Sequence, residues 1–314
     1  MRRSVLTLGT FDGVHRGHQA LIQKVVSRAR AQRARSVVLS FDMPPRHAGE
    51  PSARPVLLTT LEEKLSLLKH AGIDHVQVLV FDRKTATTGP EDFFKRIIFK
   101  KHHTLEMVVG PRVAFGRNRS GRLPLLRRLG RAYAVRIRVV SSVLGAKGEV
   151  SSRRIRALIT RGNIEAANAL LGYPYSVSGR VVHGDHRGRR LGFPTANIEV
   201  HPGKMMPQGV YWVKVFPATR LPVTAQELMR GIDGLCNVGV RPTFTPNAHV
   251  LHCEVFLLNG GRQLYGRKLR VVFLRKIRAE KRFSSADALR RQITKDVQTG
   301  KMFARLYKNA HFSI

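Results

Sequence analysis

The chain changes texture once, near Tyr173, and that change limits its fold more than any other feature. From residue 4 to about residue 140, strand-length apolar runs alternate with amphipathic helical patterns. The strand candidates are SVLTL, SVVLSF, HVQVLVF, LEMVVG and YAVRIRVV, and the helical patterns lie around 18–33, 61–71 and 90–102. Such alternation predicts βαβ units and a parallel sheet covered by helices. Ligands of these sheets sit beyond the carboxyl ends of the strands, where residues 9–18 would lie. SSRRIRALITRGNIEAANALLG then reads as two short helices closing the region, capped at Ser151 or Ser152, broken at Gly162-Asn163 and stopped at Gly172. After Tyr173 the runs become short, β-rich and separated by Gly and Pro: YSVSGRVVHG, GVYWVKVF, LHCEVFLL and LRVVFLRKI. That half predicts a small antiparallel barrel, with an amphipathic C-terminal helix marked by Leu289, Ile293 and Val297. The expected domains are 1–172 and 173–314.

A length of 314 residues favours two cores over one, and 43% hydrophobic residues are enough to build them. The two cysteines, Cys236 and Cys253, have neither metal-type spacing nor a disulfide framework, which suits a reducing compartment. No stretch reads as a signal peptide or a membrane span, so the expected location is the cytoplasm. The net charge is +36, divided as +20 over residues 1–172 and +16 over 173–314. A field of that size attracts polyanions. It is spread over both halves, however, and aromatic residues make up only 7% of the chain, too few for base-stacking platforms. Nucleic acid is therefore expected to bind only non-specifically. Nothing in the sequence sets the oligomeric state.

The stretch GTFDGVHRGHQ, Gly9–Gln19, puts His15 and His18 at i and i+3 in the first turn of a predicted helix. Unpaired N–H groups and the positive end of the helix dipole suit that turn to phosphate. Gly13 and Gly17 permit close backbone approach, and Asp12 is placed to cap the helix. Imidazoles there can stabilise charge that develops on a triphosphate as pyrophosphate leaves. In the second half, the loop from Gly184 through Gly188 to Gly192 interleaves glycines with arginines, as a polyphosphate cradle would, but lacks the Gly-Lys-Ser/Thr of a Walker A loop. Thr195 and Asn197 offer neutral oxygens, and magnesium takes few protein ligands when phosphates supply the rest. Pro-Thr-Ala-Asn by itself is also a common turn. Glu254 interrupts an apolar strand, where an unpaired carboxylate is costly; pointing outward is the simpler explanation.

GTFDGVHRGHQ resembles the nucleotide-binding motif of the adenylyltransferase half of bacterial riboflavin kinase/FAD synthetases. GRVVHGDHRGRRLGFPTANI resembles the riboflavin kinase motif of the same family, and CNVGVRPTF, LHCEVFLLNG and LYGRKLRVVFLRKIRAEKRFSSADALRRQI follow in the expected order. The resemblance covers nearly the whole chain. It implies a Rossmann-like α/β nucleotidyltransferase of the His-x-Gly-His type followed by a small antiparallel β-barrel flavokinase with a C-terminal helix. The implied substrates are riboflavin, FMN and ATP, with Mg²⁺, and the final product is FAD. By resemblance, His15 and His18 act on ATP while Gly9, Phe11, Asp12, Gly17, Ser151, Ser152 and Arg156 hold the nucleotide. Gly184, Gly188, Gly192, Thr195 and Asn197 hold the kinase nucleotide, the last two also the metal. Glu254 is the base that takes the ribityl 5′-hydroxyl proton, and Phe115, Arg119, Asn237 and Arg241 face flavin.

The first half departs from the family pattern in places. Arg112 and Val113 stand where the family shows an acidic residue and Phe, Arg153 replaces Thr in the Ser-Ser-Thr-x-x-Arg motif, and SFDMPP is a loose Thr-Phe-x-Pro-x-Pro. Two alternatives to a bifunctional enzyme remain open at this level: a riboflavin kinase with a decayed first domain, and a basic RNA-binding protein.

Overall fold

The computed structural model describes residues 3–42, 56–80, 82–145, 148–184, 187–219, 221, 224–240, 251–260 and 264–309. The chain divides into two compact units, Met1–Ser152 and Arg153–Ile314.

The first unit opens with β1 (Ser4–Leu8), α1 (Arg16–Ala31), β2 (Arg35–Phe41), α2 (Leu61–His70) and β3 (His75–Leu79). Short helices α3 (Arg83–Thr87) and α4 (Pro90–Phe93) lead into a π-helical segment, Phe94–Lys101. Then come β4 (Thr104–Val109), α5 (Leu123–Ala132), β5 (Arg136–Val139) and a small hairpin, β6 (Leu144–Gly145) with β7 (Gly148–Glu149). The five long strands form one parallel sheet in the order β3-β2-β1-β4-β5. Leu6, Val37, Leu39, Met107 and Val109 pack into one core with Phe93, Phe94, Ile98 and Leu126. Thr60 caps α2 in a reciprocal capping box with Glu63. The parallel sheet agrees with the expectation, and β1 delivers Gly9–His18 to its carboxyl-end rim. The sequence pattern missed α5: its N-cap Arg122 makes no capping bond and Gly130 weakens the pattern, although its buried Leu126 and Leu129 have helical spacing.

In the second unit, α6 (Ser152–Thr160) and α7 (Ile164–Leu171) precede β8 (Ser176–Val182), α8 (Arg187–Arg190) and β9 (Ala196–Val200). They are followed by β10 (Gly209–Pro217), α9 (Ala225–Met229), β11 (Ile232–Val240), β12 (Leu251–Leu257), β13 (Lys268–Arg278) and α10 (Ala286–Asn309). Six strands close a barrel in the order β10-β11-β12-β9-β8-β13, every paired neighbour antiparallel. Residues 210–216 of β10 are buried throughout, because one face lines the barrel and Trp212 and Phe216 on the other pack against Leu228 of α9 and Tyr307 of α10. The Lys214–Asp233 ion pair (2.9 Å) lies in that outer layer, with Trp212 Nε1 donating to Asp233 Oδ1.

The break and stop signals read for the connecting helices hold locally. Gly162 has φ +69°, Asn163 caps α7 by accepting from Ala166 N–H, and Gly172 ends it in the left-handed region at φ +79°. Both helices fall within the barrel unit apart from Ser152, whereas the sequence pattern has them closing the α/β region. The reason is specific: α7 packs on β13, and Asn168 donates through Nδ2 to Phe273 O while accepting from Tyr175 N–H.

Candidate active sites

At the rim of the first unit, His15 itself is the N-cap of α1, its Nδ1 accepting from His18 N–H at 3.4 Å. The two imidazoles stack with centroids 3.7 Å apart and 15° between planes, and Phe11 packs on His18 at 5.1 Å. Burial first, then the charges of His15 and Lys64, holds the His18 pKa well below 6.5, so the ring is neutral near pH 7. His18 Nδ1 is buried with no hydrogen-bond partner. The loop carrying the pair is strained: Phe11, Gly13 and Val14 all have positive φ, at 48°, 83° and 31°. For Val that is a steric outlier, of the sort concentrated at functional sites. A Cβ on Gly9 would touch the Phe11 ring, and one on Gly17 would press on His15 at 3.3 Å with Val150 O behind it.

Asp12 does not cap α1. Its carboxylate accepts from Leu58 N–H, Thr59 N–H and Thr59 Oγ1, tying the loop to the start of α2. Ser152 Oγ donates to Asp12 O at 2.9 Å, which fixes one end of the Ser-Ser segment to the same loop. Ser151 sits beside it, and Arg156 lies on α6 four residues after Ser152, the spacing of one helical face. Phe115 is 4% exposed, its ring packed on Phe93 and over Gly121, so it braces the loop bearing the exposed Arg119. Arg112, the departure in this segment, pairs with Glu149 of β7.

A cavity of about 750 Å³ lies against the outer wall of the barrel, lined by Gly188, Thr195, Asn197, Asn237 and Glu254, among others. Register explains the gathering. Glu254 on β12 is directly opposite Asn197 on β9 and Asn237 on β11, so three residues from distant segments stand in one row across the wall. The loop after β8 passes over Asn197, and a Cβ on Gly184 would collide with its amide. Gly188 is equally confined, by Phe193 O and by Thr195 Oγ1 at 3.2 Å, while Gly192 turns the chain at φ +86° in open space. Magnesium fits this donor set: two neutral oxygens beside a carboxylate, with glycine-made room for phosphates. At the other end of the cavity Arg278 of β13 grips Asp296 of α10 at 2.8–3.1 Å and Gln292 adds a bond, which clamps the C-terminal helix to the barrel. Arg241 lies outside the described residues.

Residues 1–154 match the model of the FAD synthetase family and residues 171–304 that of riboflavin kinase. The bifunctional riboflavin kinase/FMN adenylyltransferase of Escherichia coli (strain K12) is 37% identical over 98% of this chain and 94% of its own. That of Pseudomonas fluorescens is 33% identical, over 96% and 94%. The chain belongs to the bifunctional riboflavin kinase/FMN adenylyltransferase family. A solved Streptococcus pneumoniae structure named as a macrolide-efflux protein superposes with a TM-score of 0.84, at 30% identity over 96% of this chain and 94% of its own. Its likeness here is one of fold. No helix among the described residues is long and apolar enough to cross a membrane. Neither family model covers residues 155–170, most of α6 and α7.

The sequence motifs did not disclose Lys64, Glu280 or the Arg278–Asp296 clamp. Lys64 lies in an ordinary helical stretch, LEEKLSLLKH, and only its burial singles it out. Glu280 lines the same cavity with its carboxylate against Gly239, where a Cβ would collide with it. Only the fold brings residues 239 and 280 together.

Proposed function

We propose that the two reactions of the family divide along the chain, with the α/β unit transferring AMP to FMN and the barrel unit phosphorylating riboflavin. The enzyme phosphorylates riboflavin with ATP to give FMN and adenylylates FMN with a second ATP to give FAD. The observation that carries the kinase assignment is the row Asn197–Glu254–Asn237 lining the cavity on the barrel wall. Glu254 takes the proton of the ribityl 5′-hydroxyl as the γ-phosphoryl group passes to that oxygen and ADP departs. Thr195 and Asn197 would hold Mg²⁺, which neutralises charge on the transferring phosphates. Gly184, Gly188 and Gly192 let the backbone approach those phosphates, and Asn237 and Arg241 are assigned to the flavin.

In the first unit, an FMN phosphate oxygen attacks the α-phosphorus of ATP and pyrophosphate leaves. His15, with Nδ1 engaged by its own helix, presents Nε2–H to the phosphates. His18 stacks beside it with Phe11 as backing, and Gly9, Gly17, Asp12, Ser151, Ser152 and Arg156 shape and hold the nucleotide end. Arg119, braced by Phe115, is assigned to FMN. The basic surface meets nucleic acid only non-specifically, and the enzyme works in the cytoplasm, which suits two free, buried cysteines.

The deciding experiment follows flavin products by HPLC in riboflavin, ATP and Mg²⁺. Glu254→Gln keeps the shape and removes the base, so FMN formation should fall by roughly 10²-fold or more, with conversion of supplied FMN to FAD largely spared. Near-normal FMN formation would remove Glu254 from the mechanism.

A further inference from the structure

Lys64 is 5% exposed, on the first turn of α2 and under the histidine loop. Its ammonium donates to Thr10 O and to Phe41 O, at the carboxyl ends of β1 and β2. Among the described residues no carboxylate forms an ion pair with it, and its third N–H has no acceptor. Asp12 and Asp42 attract it electrostatically, but the Asp12 carboxylate is engaged by Leu58 and Thr59. A buried cation with only carbonyls in contact is expensive, and a methionine would fill the same space without that cost. Retaining the charge makes sense where a polyanion arrives at the ends of parallel strands. Lys64 also bears electrostatically on His18, so its charge and the histidine pair act on the same place.

We propose that Lys64 is a further phosphate-binding residue of the adenylyl-transfer site, holding the β- and γ-phosphates of ATP that leave as pyrophosphate. This rests on the reading of His15 and His18 given above. Thr10 and Phe41 orient the ammonium before substrate arrives, and two N–H groups spent on the strand ends leave one for an anion. Burial lowers the Lys64 pKa, with Asp12 and Asp42 partly opposing it, and a bound polyphosphate would favour the charged form. In the transfer the bond from the α-phosphorus to the bridging oxygen breaks, pyrophosphate leaves with the electron pair, and the bond to the FMN phosphate oxygen forms. Lys64 stabilises the leaving side of that exchange.

The test runs the reaction backwards in the full chain, FAD with pyrophosphate giving FMN and ATP, because pyrophosphate is then a substrate with its own KM. Lys64→Met should raise the KM for pyrophosphate at least tenfold, leave the KM for FAD within about twofold, and leave riboflavin phosphorylation unchanged. Lys64→Arg, which keeps the charge, should recover most of the loss. An unchanged pyrophosphate KM in Lys64→Met overturns the assignment. So does an equal rise in both KM values, or a drop in kcat alone, since either marks a structural prop. A wild-type enzyme that makes no FAD would instead remove the histidine reading underneath, a result distinct from failure at Lys64.

Discussion

A histidine at a helix N-cap is held by its own helix, and that settles which nitrogen it presents. With His15 Nδ1 accepting from His18 N–H, the neutral ring carries its proton on Nε2, and stacking at 3.7 Å disfavours charging both rings together. His15→Ala with His18→Ala should therefore lower FAD formation by at least 10²-fold while FMN accumulates in the same HPLC run. Vigorous FAD synthesis by the double variant would overturn the assignment. Arg112 gains meaning from its partner. It pairs with Glu149, beside Val150 and the Ser-Ser segment. Arg112→Asp alone would therefore set two carboxylates against each other. Both histidines were legible from the sequence, since spacing and glycines are local. The engagement of Asp12 with Leu58 and Thr59 was not, because its partners lie 46 and 47 residues away.

At the scale of elements, two of the three strands that build the kinase site escaped sequence reading, and only β12, with Glu254, was legible. β9 begins inside Pro-Thr-Ala-Asn, which reads as a turn, and β11, IDGLCNVGV, carries Gly234 and Gly239 with polar Asp233 and Asn237. Intrinsic β-propensity marks neither. Their glycines answer to neighbours instead: a Cβ on Gly234 would meet Phe256 O, and one on Gly239 the Glu280 carboxylate. The four barrel strands that are legible, β8, β10, β12 and β13, are rich in Val, Phe and Leu and owe less to tertiary context. The crossing of the β8 exit loop over β9 gives a test. Gly184→Ala puts a methyl into the Asn197 amide, and that flexible side chain can rotate aside, so the barrel should fold. Its oxygen would then be displaced from the phosphate end of the cavity. The KM for MgATP in riboflavin phosphorylation should rise about tenfold, with the thermal midpoint lowered by only a few degrees. Unchanged kinetics would show that Asn197 does not serve the nucleotide.

At the scale of the whole molecule, the change of texture at Tyr173 correctly separates parallel from antiparallel architecture, yet the barrel's packing begins earlier in the chain. Asn168 of α7 bonds both the Phe273 carbonyl and the Tyr175 amide, at 2.9 and 2.7 Å, and α7 covers β13. Amphipathic spacing shows that α7 has a buried face but cannot say which sheet it will cover. Residues 173–314 expressed alone would lose that helix and leave a carbonyl and an amide without their partner, at about 1–3 kcal/mol each if they stay dry. The lost apolar cover of Ile164, Ala167 and Leu171, all fully buried, adds a few kcal/mol more. The sum is on the order of 5 kcal/mol, the size of many domains' entire stability. Residues 153–314 keep α7 and most of α6, so that fragment should phosphorylate riboflavin at close to the full-chain rate. The shorter fragment should melt at least about 10 °C lower or fail to fold, read by circular dichroism and by FMN formation. Equal melting and equal turnover of the two fragments would show that α7 is dispensable and that the kinase begins at Tyr173.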